Sequence, residues 1–252
     1  MATFVLVHPA WFGGWCWNKV ADRLRAQGHT VYTPTLTGLA ERSHLASRDV
    51  GLTTHIDDIA GVVTFEGLAD VVLVGSSSGG TVITGVADRL PDRIGALVYL
   101  DAFVPSDGQS TLDLLPPERR AALDAQVETE GGGWLLPRFA PPPWPTIVRT
   151  MWHIVDEADL QWVLPRLRPT PYRHFTDPIR LTASNLQAID RVYVRCPRVP
   201  APFDVFAAAA KSDPAWRYRE LDTPHVPFVT HPDEVTTVLL EVAASHPRAA
   251  SP

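Results

Sequence analysis

Cysteine is scarce in this chain, which has only Cys16 and Cys196 among its 252 residues. Two thiols so far apart in sequence do not make the dense disulfide framework of a small secreted domain. Neither of them belongs to a C-x-x-C pair of metal ligands. We therefore expect two packed, reduced thiols.

Clusters of basic residues and long apolar runs are also missing. The 22 lysines and arginines are scattered among 28 acidic residues, for a formal net charge of −6. Neither nucleic acid nor an anionic membrane is therefore expected as a partner. The opening MATFVLVHPAW has no basic leader, and its apolar run of about five residues is too short for a signal peptide or a membrane span. These features predict a soluble, cytoplasmic protein.

Short apolar strands alternate with helical patterns along most of the chain. Strands are predicted at residues 4–7, 30–34, 71–74, 96–100, 191–196 and 216–221, and helices at residues 15–27, 56–65, 81–90 and 234–244. Strands that are apolar on both faces and separated by helices indicate an α/β domain with a mostly parallel central sheet flanked by helices.

This alternation breaks between residues 105 and 190. The segment contains PPERR, GGGW, PPPWP and PTPY, shows helical pieces but no convincing strand, and carries Trp134, Trp144, Trp152 and Trp162. A long structureless excursion would be unusual in a compact domain. We therefore predict an inserted helical cap at residues 106–186, over a core formed by residues 1–105 and 187–252.

A candidate nucleophile lies between an apolar strand and a helical pattern. The sequence from Gly75 to Gly80 reads GSSSGG and contains G-x-S-x-G centred on Ser77. A sharp strand-to-helix turn needs glycine on both sides of the serine, and only Ser77 has Gly75 and Gly79 at that spacing. A phosphate-binding loop would need G-x-G-x-x-G or a G-K-[ST] ending, and neither is present.

His225 is the candidate general base among the nine histidines. It lies in LDTPHVPF, after the last predicted strand and before the last helix, where a loop can carry an imidazole back over the serine. An oxyanion hole needs two N–H donors. The residue after the nucleophile, Ser78, supplies one. In the HPAW loop Pro9 has no N–H, so Ala10 is expected to supply the other, with Trp11 beside the pocket.

The sequence around these residues resembles a known family. FVLVHPAWFGGWCW is similar to the opening of small plant methylesterases, hydroxynitrile lyases and bacterial esterases of the α/β-hydrolase superfamily. PTLTGLAERSH, THIDDI, LVGSSSGG, LVYLDAFVPSDGQS and LDTPHVPFVTHP extend the resemblance over nearly the whole chain, with the cap region as its least specific part. It implies an α/β-hydrolase fold, a serine triad, an oxyanion hole and neither cofactor nor metal.

The chain departs from the family pattern at several positions. Pro9 stands where glycine is usual, and Ser76 stands where histidine is usual, so both are expected to alter the pocket wall. The lyases of the family have a lysine directly after the base, where this chain has Val226. Hydroxynitrile lyase activity is therefore not expected.

The acid of the triad has two candidates. Many members place an aspartate just after the strand that corresponds to RVYVRC, but here the first carboxylate in that loop is Asp204. Asp101 ends the strand ALVYLD, which is where the haloalkane dehalogenases of the same fold place their acid. We favour Asp101, because Asp204 starts a helical pattern in which aspartate is a common N-cap.

Together these residues predict a serine hydrolase that cleaves a carboxylic ester or lactone of an apolar, aromatic small molecule. The substrate pocket is expected to include Trp11, Ser76, Trp134 and Trp152. Two alternatives stay open: a non-hydrolytic cyclase or lyase that uses the same pocket, and a non-catalytic small-molecule receptor. The sequence also leaves a homodimer open.

Overall fold

The computed structural model describes residues 1–137, 148–150, 152–182, 186, 188–198 and 202–245. Along the chain the strands are β1 (Thr3–Val7), β2 (Thr30–Tyr32), β3 (Val71–Ser76), β4 (Ile94–Leu100), β5 (Leu135–Leu136), β6 (Thr170–Pro171), β7 (Asp190–Arg195) and β8 (Trp216–Glu220). The central sheet has six strands in the order β2-β1-β3-β4-β7-β8, and every neighbouring pair is parallel. The predicted parallel sheet is confirmed.

Helices cover both faces of this sheet. The main helices are α1 (Asn18–Ala26), α2 (Leu52–Phe65), α3 (Gly79–Arg89), α4 (Pro117–Glu130), α5 (Glu157–Val163), α6 (Arg173–Thr176), α7 (Asp204–Ser212), α8 (Pro227–Thr230) and α9 (Pro232–Ser245). Alternate residues of a strand face opposite sides. Phe4 and Leu6 pack with α1 and α9, whereas Val5 and Val7 pack with α2, α3 and α7.

Burial on both faces explains the continuous apolar runs of the strands. All six residues of β3, for example, are buried. Because the strands are parallel, their carboxyl ends lie along one edge of the sheet, where open α/β sheets bind their ligands. Ser77 follows β3, Asp101 follows β4, and His225 follows β8 at this edge.

The segment predicted as the cap, residues 106–186, which we call the insertion, contains α4, α5 and α6. It also contains an antiparallel pair of short strands, in which Leu136 of β5 pairs with Thr170 of β6. The sequence pattern indicated no strand there, because a strand of this length has too few positions to show alternation. Trp144 lies outside the described residues, and the cap boundaries at residues 106 and 186 stay predictions.

Two helix starts differ from the sequence pattern. The stretch predicted as helical from residue 15 forms a 3-10 turn over Gly14–Trp17 before α1 begins. α2 begins at Leu52, earlier than the predicted start at residue 56, and the N–H of Gly51 donates to the side chain of Thr54 at 3.4 Å. Within the described ranges, no helix combines the length and the apolarity that crossing a bilayer requires.

Candidate active site

The turn between β3 and α3 carries Ser77 at the carboxyl edge of the sheet. Ser77 has a φ of 53°, in the left-handed region that residues other than glycine rarely adopt. A Cβ atom at Gly75 would lie 2.6 Å from the carbonyl oxygen of Gly79, so the turn requires glycine at position 75. Ser77 is therefore held in the strained conformation that is typical of a nucleophile elbow.

Backbone hydrogen bonds from the end of β4 fix this turn. The N–H of Ser77 donates to the carbonyl oxygen of Leu100 at 3.3 Å, and the N–H of Phe103 donates to the carbonyl oxygen of Ser77 at 3.1 Å. The strand that places the nucleophile is thus tied to the neighbouring strand end that carries Asp101.

Asp101 and His225 form a hydrogen-bonded pair beside this turn. Asp101 is fully buried, and its Oδ2 lies 2.6 Å from Nδ1 of His225. Because an ionised carboxylate only accepts hydrogen bonds, Nδ1 carries the proton and Nε2 is left as the basic nitrogen of the neutral imidazole. This is the tautomer that a general base needs.

Asp204, the other candidate acid, does not make this contact. Its side chain is 75% exposed, and its Oδ1 accepts from Nε of Arg195 at 2.8 Å. It is the first residue of α7, whose N-cap is Phe203, so the N-cap position expected for it is also wrong. Of the two candidates, the structure brings Asp101 to the imidazole.

Ser77 and His225 both line a cavity of about 790 Å³. From the insertion, the apolar lining includes Leu115, Leu123, Trp152 and Phe175, and from the core it includes Ala10, Trp11, Phe103 and Phe203. Its charged lining is formed by Glu118 and Arg119 at the start of α4, and both are exposed. The cavity therefore offers a substrate a mainly apolar wall next to the serine and the imidazole.

Aromatic rings make up much of this wall. The ring of Trp11 lies 6.0 Å from that of Trp152 and 6.4 Å from that of Phe175, measured between centroids. Trp152 also contacts Phe12, at 5.0 Å between centroids. Because aromatic rings at such centroid distances attract one another, these rings hold one another in place and connect the insertion to the loop after β1.

Two backbone N–H groups were expected to bind an oxyanion, and they differ in whether they already have a hydrogen-bond partner. Among the described residues, the N–H of Ser78 has no hydrogen-bond partner. The N–H of Ala10 donates to Oγ of Ser78 at 3.0 Å. One expected donor is thus open, and the other is engaged by a neighbouring hydroxyl.

Two of the four residues expected in the substrate pocket lie elsewhere. Ser76 is fully buried and does not line the cavity, because it is the last residue of β3 and faces the interior of the fold. Trp134 does not line it either, and its ring packs against the guanidinium of Arg48, whose Cζ lies 5.8 Å from the ring centroid. Trp11 and Trp152 do line the cavity.

The positions that depart from the family pattern at the base and the first loop are close to the site. Pro9 and Val226 line a small recess beside Ser77 and His225. Neither side chain can donate or accept a proton. Pro9 and Val226 therefore shape the recess and add no acid or base to His225.

Three further histidines are buried behind the site. His8 donates through Nδ1 to the carbonyl oxygen of Pro9 at 2.8 Å and accepts at Nε2 from the N–H of Leu36 at 3.1 Å. Desolvation by burial lowers the pKa of His8 to about 4. The Nδ1 atoms of His55 and His174 lie 2.8 Å apart, and burial lowers the pKa of each. We infer that these histidines are neutral and structural at pH 7.

Two residues that support the site were missed by the sequence reasoning. Phe203 stacks on the imidazole of His225 with the ring centroids 4.9 Å apart and the planes inclined by 14°. Arg195 donates through Nη1 to Oδ1 of Asp101 at 2.7 Å. A charged residue at the end of a buried strand was a signal for Arg195, whereas the contact of Phe203 with His225 depends on the fold.

The side chains that the structure describes offer no evident metal site. In the part of the chain that the structure describes, no group of three or more histidine, cysteine, aspartate and glutamate side chains is placed to hold a metal ion. The chemistry that the arrangement offers is that of a serine, an imidazole and a carboxylate.

The chain is similar to known hydrolases over nearly its whole length. The alpha/beta hydrolase family model matches residues 4–238. The carbendazim hydrolyzing esterase of Nocardioides sp. (strain SG-4G) is 39% identical over 240 residues, which cover 95% of this chain and 98% of that protein. The putative methylesterase 15, chloroplastic, of Arabidopsis thaliana is 24% identical over 98% of this chain and 58% of its own length.

A solved structure gives the same result. The extracellular alpha/beta-hydrolase from a Paenibacillus species, described as sharing structural and functional homology with tobacco salicylic acid binding protein 2, superposes with a TM-score of 0.82. It is 25% identical, and the superposition covers 96% of this chain and 98% of that one. The chain therefore belongs to the alpha/beta hydrolase family, in its esterase branch, and is a carboxylic ester hydrolase.

Proposed function

We propose that the protein hydrolyses an ester or lactone of an apolar, aromatic small molecule through a triad of Ser77, His225 and Asp101. One observation carries this proposal: a buried carboxylate orients the imidazole, and that imidazole and a strained serine open on the same apolar cavity. The insertion supplies part of the cavity wall and acts as its cap.

Acylation uses the open nitrogen of the imidazole. Nε2 of His225 takes the proton of the Ser77 hydroxyl while Oγ attacks the ester carbonyl. The N–H groups of Ser78 and Ala10 stabilise the oxyanion. The first tetrahedral intermediate then collapses: the bond from the acyl carbon to the alkoxy oxygen breaks, and the imidazolium, stabilised by Asp101, gives its proton to that oxygen, which leaves as the alcohol.

Deacylation repeats these steps with water. His225 takes a proton from a water molecule, whose oxygen attacks the acyl carbon. Collapse of the second tetrahedral intermediate breaks the bond to Oγ of Ser77, and the proton returns to Ser77. The products are a carboxylic acid and the free enzyme.

The aromatic wall supports an aromatic substrate. A cavity of about 790 Å³ is within the range that holds drug-sized ligands. Rings of Trp11, Trp152, Phe175 and Phe203 face this space, and aromatic pairs contribute about 1 kcal/mol beyond their apolar area. The name of the Nocardioides relative makes carbendazim a further compound to test.

The test is a panel of p-nitrophenyl esters that compares benzoyl and phenylacetyl with acetyl to octanoyl groups. We expect kcat/KM for the aromatic acyl groups to exceed that for alkyl groups of equal carbon number by about tenfold, which corresponds to about 1.4 kcal/mol. Carbendazim is assayed beside them by loss of the parent compound. Equal kcat/KM across the panel would contradict the aromatic preference.

Ser77→Ala tests the nucleophile. We expect it to lower ester turnover by about 10⁴-fold or more and to abolish labelling by a fluorophosphonate. Ser106→Ala is the matched control, because Ser106 is exposed and does not line the cavity. If the wild-type protein neither hydrolyses any ester nor reacts with the fluorophosphonate, the hydrolytic mechanism is wrong. That result would favour a non-hydrolytic enzyme or a receptor.

Two further variants test the acid. Asp101→Asn should lower kcat by about 10³- to 10⁴-fold, because the imidazole loses the carboxylate that fixes its tautomer. Asp204→Asn should cost less than about tenfold, since its side chain is solvated and contacts Arg195 rather than His225. The opposite ranking would move the role of the acid to Asp204.

A further inference from the structure

A buried arginine lies directly behind the proposed acid. Arg195 ends β7, and its side chain is only 3% exposed. Its Nη1 lies 2.7 Å from Oδ1 of Asp101, and its Nε lies 2.8 Å from Oδ1 of Asp204. Nη1 also donates to the carbonyl oxygen of Cys196. The planar guanidinium is therefore held on both sides and cannot turn without losing contacts.

The two oxygens of Asp101 have separate partners. Oδ1 accepts from Arg195 and, at 3.2 Å, from the backbone N–H of Cys196. Oδ2 accepts from Nδ1 of His225 at 2.6 Å. With Oδ1 fixed by two donors, the carboxylate plane is set, and Oδ2 has one direction in which to meet the imidazole.

We propose that Arg195 is a positioning residue of the triad, which holds Oδ1 of Asp101 and thereby directs Oδ2 to His225. The proposal rests on the proposed hydrolytic function. It assigns Asp204 to the outer end of the same chain of contacts, where it fixes Nε of Arg195.

The guanidinium also acts on the charge of the imidazole. The titratable and charged groups around the pair of Asp101 and His225 are Tyr193, Arg195 and Cys196 of β7 and its end, and Asp204 of α7. Of these, Arg195 is the positive group in direct contact with Asp101. Removing its charge makes protonation of His225 more favourable, so the acidic limb of the profile of kcat/KM against pH moves to higher pH.

Arg195→Met and Arg195→Lys separate charge from geometry. Methionine removes both the charge and the planar set of N–H donors, whereas lysine keeps the charge and loses the planar donors. Arg219→Met is the matched control, because Arg219 lies on the neighbouring strand β8, opposite Val194, with a half-exposed side chain. Turnover is expressed per Ser77 that reacts with a fluorophosphonate, so unfolded protein does not count.

For Arg195→Met we expect kcat to fall by about 100-fold, the lower end of what a positioned general base contributes, with KM nearly unchanged, because Arg195 does not line the cavity. The acidic limb should move to higher pH. Arg195→Lys should keep the limb in place and recover part of kcat, and Arg219→Met should match the wild type.

Proton NMR gives a readout that does not depend on turnover. The proton on Nδ1 of His225 is expected to resonate far downfield in the wild type, and to shift upfield or broaden in Arg195→Lys and Arg195→Met. If the wild type shows no Ser77-dependent hydrolysis, the proposed function fails, while the NMR signal still tests the positioning. If kcat, the acidic limb and the downfield signal are all unchanged in Arg195→Lys and in every folded Arg195→Met sample, the positioning role is wrong.

Discussion

The backbone and the side chain of Ser78 have opposing effects on the expected oxyanion hole. The backbone N–H of Ser78 is one expected oxyanion donor. Its side-chain Oγ, however, accepts a hydrogen bond at 3.0 Å from the other expected donor, the N–H of Ala10. A substrate oxygen must therefore compete with this hydroxyl for Ala10. We expect this competition to weaken oxyanion binding by about 1 kcal/mol, which is the typical net contribution of one intramolecular hydrogen bond.

Ser78→Ala should raise kcat for ester hydrolysis by about fivefold, because it frees the N–H of Ala10 and keeps the N–H of residue 78. Steady-state kinetics on a p-nitrophenyl ester measures this. Ser76→Ala is the control: it removes a buried hydroxyl that has no hydrogen-bond partner among the described residues and does not line the cavity. A lower kcat in Ser78→Ala would mean that the hydroxyl itself supports the oxyanion.

Among the elements, the turn between β3 and α3 carries a steric requirement that bears on the site. A Cβ atom at Gly75 would meet the backbone of residues 79 and 80, at 2.6 Å from the nearest atom. Gly61 of α2 is different, because a Cβ atom there would meet nothing within 4 Å. The same substitution should therefore have opposite effects in the two elements.

Gly75→Ala should lower both the melting temperature and ester turnover, since the turn must shift to admit the methyl group. Gly61→Ala should raise the free energy of unfolding by about 0.5 to 1 kcal/mol and leave kcat unchanged, because alanine is the better helix former. Thermal melts with parallel ester assays check both. An active and stable Gly75→Ala protein would show that the turn is looser than its geometry indicates.

The elements also show what the sequence could predict. The turn at Ser77 was accessible because its signal is local: an apolar strand, two spaced glycines and a helical pattern. The choice between Asp101 and Asp204 depended on which strand end meets an imidazole 124 residues along the chain, and the sequence favoured Asp101 without deciding it. Trp134 was misplaced because composition alone cannot say which way a side chain of the insertion faces.

For the whole molecule, buried histidines make stability depend on pH. His8, His55 and His174 are nearly or fully buried, and their pKa values are lowered, mainly by desolvation. The unfolded chain binds protons at these residues near pH 6.5, whereas the folded protein resists protonation until the pH falls further, to about 4 for His8. Their contribution to stability is therefore complete above pH 6.5 and is lost as the pH falls toward the folded pKa values.

The free energy of unfolding should fall below pH 6.5 by up to about 1.4 kcal/mol per pH unit for His8, whose pKa is about 4, and the lowered pKa values of His55 and His174 should add to this fall. Urea unfolding between about pH 7.5 and about pH 5 measures the slope. His174→Gln should reduce it, and His44→Gln, at an exposed position, should not. A slope that is the same in all three proteins would contradict the assignment.

The cavity is lined by both the core and the insertion, and the two contribute different kinds of residue. The proposed triad residues follow the strands of the sheet, whereas Leu115, Leu123, Trp152 and Phe175 come from the insertion. Selectivity can therefore diverge while reactivity is preserved. Transplanting the insertion from one relative to another should change the preferred substrate and leave the rate of bond cleavage nearly unchanged.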